Sequence, residues 1–369
     1  MVDRRKLVDR FIQYVRIDSE SGYEKEICDV LYDQLQALDV KVDKLNEDNT
    51  FSNGYNMIGR IPGSIQAEPV FLAAHMDTVV NGRNIQVVEN NGILSSDGTT
   101  ILGADDKIAL AVIMEVLDII KTNNIPTRPF EIVFTLCEEQ GLKGAKALDV
   151  NEIQANDGFV LDGTGAIGGI DICSPNHVSI KVDVKGKCAH SGSGACQGVS
   201  AIQIASRAIA DLYLGTVDEY TTCNVGIIHG GEALNIVPDH CHVEAAVRST
   251  NALSSKKQIE HIKDRFKFWA KSLDGYADIN IDTSYDGVNQ EKNNPLIKNL
   301  QRAFELNDIQ PYFKNAGGGS DNNIFFNRGK NSIDLSIAYK NIHTVNESVE
   351  IVEMERLAKT LLTYLQLED

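Results

Sequence analysis

Val70-Phe71-Leu72-Ala73-Ala74-His75-Met76-Asp77 is an apolar run that ends on an imidazole and a carboxylate, and the arrangement returns twice further along the chain. Phe130 to Cys137 runs into Glu138-Glu139, and Gly158-Phe159-Val160-Leu161 runs into Asp162. Short, nearly continuous apolar runs read as strands buried on both faces, as in a parallel sheet covered by helices. Ligands of such sheets collect at the carboxyl ends of the strands. Three strands that each end in a metal-binding residue type therefore point to one site. With Asp105 and His343 added, the order His75, Asp77, Asp105, Glu138-Glu139, Asp162, His343 is the layout of a two-metal hydrolase.

Working outward, the chain is too long at 369 residues for one compact core, so two domains are expected. A net charge of −17 argues against nucleic acid or an anionic membrane as partner, because both require a basic surface. No apolar segment has the length that spans a bilayer, and Met1-Val2-Asp3-Arg4-Arg5-Lys6 leads into an amphipathic helix instead of a signal-peptide core, so a cytoplasmic protein is expected. The seven cysteines are scattered without a C-x-x-C pair, which suggests reduced, packed thiols. Cys137, beside the glutamates, reads as a packed sheet residue and not a nucleophile.

Leu7, Phe11 and Val15, then Ile27, Leu31, Leu35 and Leu38, recur at helical spacing. Strands follow around Lys41-Leu45, Asn56-Arg60 and Val70-Ala74, then a turn-rich stretch with Asn90-Asn91-Gly92, then an apolar helix from about Asp106 to Ile120. From Asn176 the pattern changes: Val178, Ile180, Val182 and Val184 alternate with polar residues, as in a strand with one wet face. Helix 199–212, strand 223–228, strand 241–247, helix 256–269 and strand 277–282 make a β-α-β-β-α-β, ferredoxin-like module. Long helices and apolar strands resume from Pro295. The expected architecture is α/β: a mainly parallel-sheet catalytic domain formed by 1–177 and 287–369, with a small α+β lid domain inserted at 178–286.

Imidazole nitrogen and carboxylate oxygen suit a catalytic zinc, and two ions need a carboxylate between them. His75 and Asp162 could hold one ion and Glu139 and His343 the other, with Asp105 shared. In a strand, His75 and Asp77 face the same side, so Asp77 could accept the spare ring N–H of His75 and fix its tautomer. Adjacent glutamates at a strand end diverge, which leaves Glu139 as ligand and Glu138 as base.

Ala74-His75-Met76-Asp77-Thr78, Leu102-Gly103-Ala104-Asp105-Asp106-Lys107, Cys137-Glu138-Glu139-Gln140-Gly141, Asp162-Gly163, Gly317-Gly318-Gly319-Ser320-Asp321 and Asn341-Ile342-His343-Thr344 resemble, in order, the motifs of the M20 metallopeptidases, and within them the peptidase T-like (tripeptidase) branch. That resemblance implies two Zn2+ per subunit, with Mn2+ or Co2+ also suited to the ligands, and hydrolysis of the N-terminal bond of a short peptide by a metal-bridging water that Glu138 activates. It also implies that Asp105 bridges the ions and precedes a cis peptide bond, and that the lid domain forms a homodimer. By the same comparison His190 is a lid histidine that steadies the developing oxyanion, Asn235 and Arg248 grip the substrate, and Gly318 and Ser320 belong to the substrate-binding glycine-rich loop. On residues alone, His190 would be a surface loop residue and Arg248 a salt-bridged edge residue.

The sequence departs from the family pattern at Ser191-Gly192-Ser193-Gly194-Ala195-Cys196-Gln197-Gly198, where relatives usually carry a proline and often an acidic residue, and at Asn322, where a small residue is usual. Two alternatives stand beside the tripeptidase reading: a deacylase of N-acyl amino acids built on the same metal site, and a non-catalytic metal-binding scaffold, which would be expected to have lost Glu138 or a ligand.

Overall fold

Helix Ala104–Asn123 is apolar nearly all round, and such a helix has to be covered on every side. In the computed structural model, which describes residues 2–368, it is buried along most of its length and packs against the amphipathic helices Arg4–Val15 and Ile351–Leu365. The chain divides into two compact units. One comprises the chain up to Cys173 with Gln290–Ala316 and the segment from Ser320 on; the other comprises Ser174–Asn289 with Gly317–Gly319.

In the first unit the apolar runs form the middle of a sheet. Phe130–Thr135, Val70–His75, Asp157–Gly163 and Asn331–Ser336 lie side by side, each parallel to the next. Asn56–Ile61 and then Lys41–Leu45 add antiparallel at one side; Gly169–Ser174 adds antiparallel at the other and pairs in parallel with Tyr312–Asn315. Phe130–Thr135 and Val70–His75 are buried at every position, which is why they read as unbroken apolar sequence. Close packing explains one glycine within a strand: a Cβ on Gly158 would lie 2.2 Å from the ring of Phe71, its partner in register.

The expected elements shift in three places that matter to the site. The strand read as Phe130 to Cys137 ends at Thr135, so Glu138 and Glu139 sit in the turn beyond it. Leu136 and Cys137 are buried like strand residues, but Cys137 takes φ +44°, which breaks the strand. The central helix begins at Ala104, with Asp105 and Asp106 non-helical and joined by a cis peptide bond. The stretch around Asn90-Asn91-Gly92 is a hairpin, Val87–Asn90 with Ile93–Ser96, which Ser348–Glu350 extends to three strands.

The second unit has the β-α-β-β-α-β order, with an antiparallel sheet in the strand order Thr221–Gly230, His240–Ser249, Asn176–Lys185, Tyr276–Tyr285, and the short strand Gly215–Thr216 beside the first. Val178, Ile180, Val182 and Val184 are buried as their alternation predicts, in a core shared with Ile204, Ile262 and Phe266 from helices Ala201–Ala210 and Ala252–Ser272. Among the described residues no helix is long and apolar enough to cross a membrane.

Candidate metal centre

Four neighbouring parallel strands deliver the site from their carboxyl ends. Val70–His75 ends on His75; the turn after Phe130–Thr135 carries Glu138 and Glu139; Asp162 is the penultimate residue of Asp157–Gly163; and the chain after Asn331–Ser336 leads to His343. Asp105 comes from the start of helix Ala104–Asn123, just after Gly103 at φ +72°.

Asp105 lies between two imidazoles. Its Oδ1 is 2.9 Å from His75 Nε2, and its Oδ2 is 3.2 Å from His343 Nε2. His343 Nε2 is also 2.8 Å from Glu139 Oε1, and Asp162 Oδ1 lies 4.0 Å from His75 Nε2. Ligand atoms fall within 4.8 Å of one another in three groups: His75 with Asp105 and Asp162, His75 with Glu138 and Glu139, and Asp105 with Glu139 and His343. The first and third groups are the two sets expected from sequence, sharing Asp105.

The charge balance also suits cations. Burial, reinforced by Asp105 and Glu138, pushes the Asp162 carboxyl well above the usual range. Burial does the same to Glu138, where His75 offsets it in part and Glu139 adds to it. Burial opposes the charge on Asp105, but hydrogen bonds from His343 and His75 overcome it and hold that carboxyl well below the usual range. His343, bonded to Asp105 and Glu139, is pushed up to about 10. Carboxylates concentrated where little water reaches them are stabilised by a bound metal ion, and the nitrogen and oxygen donors fit a pair of divalent ions.

Asp77 has a second task beside its contact with His75. The nearest acceptor for His75 Nδ1 is the backbone oxygen of Asp77, at 3.0 Å, with the carboxylate Oδ1 at 3.4 Å. The carboxylate, fully buried, accepts the N–H of Glu138 at 2.9 Å, the N–H of Glu139 at 3.2 Å and the hydroxyl of Ser21 at 2.6 Å. Because the strand has ended, Asp77 is free to reach across to the glutamate turn. Ser320 also has a supporting part. Its hydroxyl is buried, caps helix Asp321–Asn327 and donates to Asp334 at 2.6 Å, while the other oxygen of Asp334 accepts the N–H of Asp162 at 3.1 Å. The Ser320 hydroxyl thus ties the glycine-rich loop to Asp334. Ser21, Asp334 and Tyr339, whose hydroxyl donates to the backbone oxygen of Asp162 at 2.6 Å, carried no sequence signal, since only the fold brings them to the site. Cys137 is buried, with its thiol against Glu24 at 3.0 Å; burial and that contact push the thiol far up, which suits packing and not nucleophilic attack.

A model of the M20 peptidase dimerisation domain matches residues 174–273, and one of peptidase family M28 matches residues 56–182, the stretch with His75, Asp105, Glu138, Glu139 and Asp162. YqjE, an uncharacterised protein of Bacillus subtilis, is 36% identical over 99% of each chain. A tripeptidase from Staphylococcus aureus superposes with a TM-score of 0.96, at 36% identity over 99% of this chain and 98% of the other. Aminopeptidase PepT from Bacillus cereus does so with a TM-score of 0.93, at the same identity and coverage. The chain belongs to the M20 peptidases, in their peptidase T-like branch.

In the second unit of this M20 peptidase, His190 is exposed at the end of the short strand Ala189–His190, which pairs with Ile236–Val237. Its Nδ1 accepts the N–H groups of Gly192 at 3.0 Å and Ser193 at 3.2 Å, so the ring proton sits on Nε2. The loop that departs from the family pattern thus supplies the two donors that set the tautomer. Asn235 is exposed, and its backbone oxygen accepts the N–H of Ser191 at 2.9 Å, tying it to the His190 loop. Arg248 lies on strand His240–Ser249, across from His177, and its Nη1 would be 3.6 Å from a Cβ on Gly318. The Tyr285 hydroxyl accepts the N–H of Gly319 at 3.0 Å, and a Cβ on Gly319 would come within 2.3 Å of the Tyr285 ring. A side chain at 319 would push the glycine-rich loop away from Tyr285. Asn322, the other departure, is buried in helix Asp321–Asn327.

Proposed function

We propose that this peptidase is a two-metal aminopeptidase that removes the N-terminal residue from short peptides, with tripeptides as its main substrates. The observation that carries the reading is Asp105, with one carboxylate oxygen on each of two imidazoles. In this reading His75 and Asp162 would hold one ion and Glu139 and His343 the other, with Asp105 available to both. Zinc suits the donor set, and manganese or cobalt would take the same one. When bound, such ions polarise the scissile carbonyl and make water a nucleophile at neutral pH.

The remaining work falls to side chains. The backbone oxygen of Asp77 keeps a proton on His75 Nδ1 and leaves Nε2 free to coordinate. Glu139 is engaged by His343, which leaves Glu138 as the proton carrier; anchored through its N–H on Asp77, it takes a proton from the attacking water and delivers it to the leaving amine. His190 donates from Nε2 to the carbonyl oxygen as charge develops there. Arg248, with Asn235 and the Gly318 loop, grips the peptide's backbone or terminal carboxylate, a task that suits the guanidinium fork. The tripeptidase and aminopeptidase named for the two similar structures support this substrate class. The matched dimerisation domain supports a homodimer through the lid, for which we take 178–286, between catalytic segments 1–177 and 287–369. We place the enzyme in the cytoplasm, since its sequence carries neither a bilayer-spanning run nor a signal-peptide core, and away from nucleic acid and membrane on the strength of its acidic composition.

The test is chromatographic detection of amino acids released by zinc-loaded protein from matched di-, tri- and tetrapeptides and their N-acetylated forms, with a chelator control. Chelator-sensitive release confined to free-amine tripeptides supports the proposal. Cleavage of the acylated compounds alone would move the protein to the deacylases, and silence across the panel with both ions bound would favour a non-catalytic role.

A further inference from the structure

Asp105 and His343 are 238 residues apart in sequence, yet the hydrogen bond between them requires both to be held closely. One buried side chain joins the two segments that carry them. Glu347, four residues past His343 and 1% exposed, accepts the N–H groups of Leu102 and Gly103 on Oε2, each at 2.8 Å, and the N–H of Asp105 on Oε1, at 3.1 Å. These amides lie at and just before the start of helix Ala104–Asn123, where backbone donors have no partner within the helix. Glu347 is itself anchored: its N–H donates to the oxygen of Thr344 at 3.1 Å, and the next residue, Ser348, exchanges bonds with Lys340 at 2.8 and 3.0 Å, closing the loop that carries His343.

We propose that Glu347 is a positioning residue for the metal centre: it holds the Asp105 turn and the His343 loop in register, and so sets the affinity for the ion that Asp105 and His343 share. The inference rests on the two-metal reading above. Its physical basis is the number and direction of the donors, since a carboxylate has acceptor capacity on both oxygens for all three amides. A glutamine can keep the Leu102 and Gly103 pair on its carbonyl oxygen, but it sets an amide N–H against that of Asp105. An alanine releases all three.

The test uses the full chain, stripped of metal and titrated with zinc against a chromophoric chelator, for wild type, Glu347→Gln and Glu347→Ala. Melting curves of the metal-free proteins and kcat and KM at two zinc concentrations accompany the titration. The wild type is expected to bind two ions. Glu347→Gln is expected to bind one of them, the ion on Asp105 and His343, roughly 10–100-fold less tightly, the range seen when a group that orients a metal ligand is removed. Its kcat should recover as zinc is raised, with the KM for peptide unchanged. Glu347→Ala should lose more affinity; if it fails to fold, the near-isosteric glutamine variant decides. Wild-type zinc affinity in Glu347→Gln overturns the proposal, and so does a lower melting temperature of the metal-free variant with no loss of affinity, since that is a structural role alone. A wild type that binds fewer than two ions overturns the two-metal reading and this inference with it.

Discussion

The carboxyl ends of the four parallel strands and the loop around His190 both carry residues proposed for catalysis, but the fold holds them in opposite ways. Asp77 is fully buried, and its carboxylate accepts two backbone N–H groups and a hydroxyl; Asp162 is held by Asp334 and Tyr339; Asp105 is gripped from both sides by imidazoles. His190 is exposed, and its ring is held by two amides of its own loop. The first region fixes positions, as the proposed pair of ions would require. The second fixes only a tautomer, and a donor that acts as charge develops needs little more from its own loop. Substitutions should therefore separate: those of the proposed ligands at the strand ends change metal binding as well as turnover, and those in the loop turnover alone.

The largest effect is expected at Asp105, the proposed shared ligand. Asp105→Asn should lose at least one ion and nearly all peptidase activity, as read by elemental analysis of the purified variant; full occupancy would contradict a bridging role. Glu138→Gln sharpens the contrast, because the proposal places Glu138 among the strand-end residues as the proton carrier and not as a ligand. It should keep both ions while kcat falls roughly 10²–10⁴-fold, the range for general acid–base groups, and a variant retaining most of its turnover would remove Glu138 from the mechanism. His190→Ala should lower kcat about 10²–10³-fold if the imidazole is the oxyanion donor. Its metal content should be unchanged and its stability within about 0.5 kcal/mol of wild type, as for other exposed sites. A loss of metal there would erase the distinction between the two regions. The smallest effect is expected for Tyr285→Phe, which removes the acceptor for the Gly319 N–H. A hydrogen bond of about 1 kcal/mol corresponds to a severalfold rise in KM for free-acid tripeptides, with kcat nearly constant; equal KM values would detach Tyr285 from substrate binding.

What the sequence revealed follows the same division of forces. The central strands were legible because residues such as Phe71, Leu72 and Val133 are buried on both faces and leave an unbroken apolar signature, and the lid strand with Val178 and Val184 because it has one wet face. The hairpin at 87–96 escaped notice since Val87–Asn90 is mostly exposed and shows no periodicity. The candidate ligands that the fold brings together could be listed in order because each follows an apolar strand or resembles a known motif. Their supports could not. The part of Asp77 in holding the glutamate turn, the helix cap made by Ser320 and the reach of Glu347 to the Asp105 amide all depend on which distant backbone donors the fold brings near. The position of Glu138 beyond the strand was hidden by Cys137, whose burial matches a strand and whose φ of +44° does not.

The most direct test of the central claim is a crystal of the zinc-loaded protein with anomalous diffraction collected at the zinc edge. The account expects two peaks, one bound by His75 and Asp162 and the other by Glu139 and His343, with Asp105 on both and Glu138 on neither. A single peak, or two peaks with Glu138 as a ligand and Asp105 on only one, would contradict it.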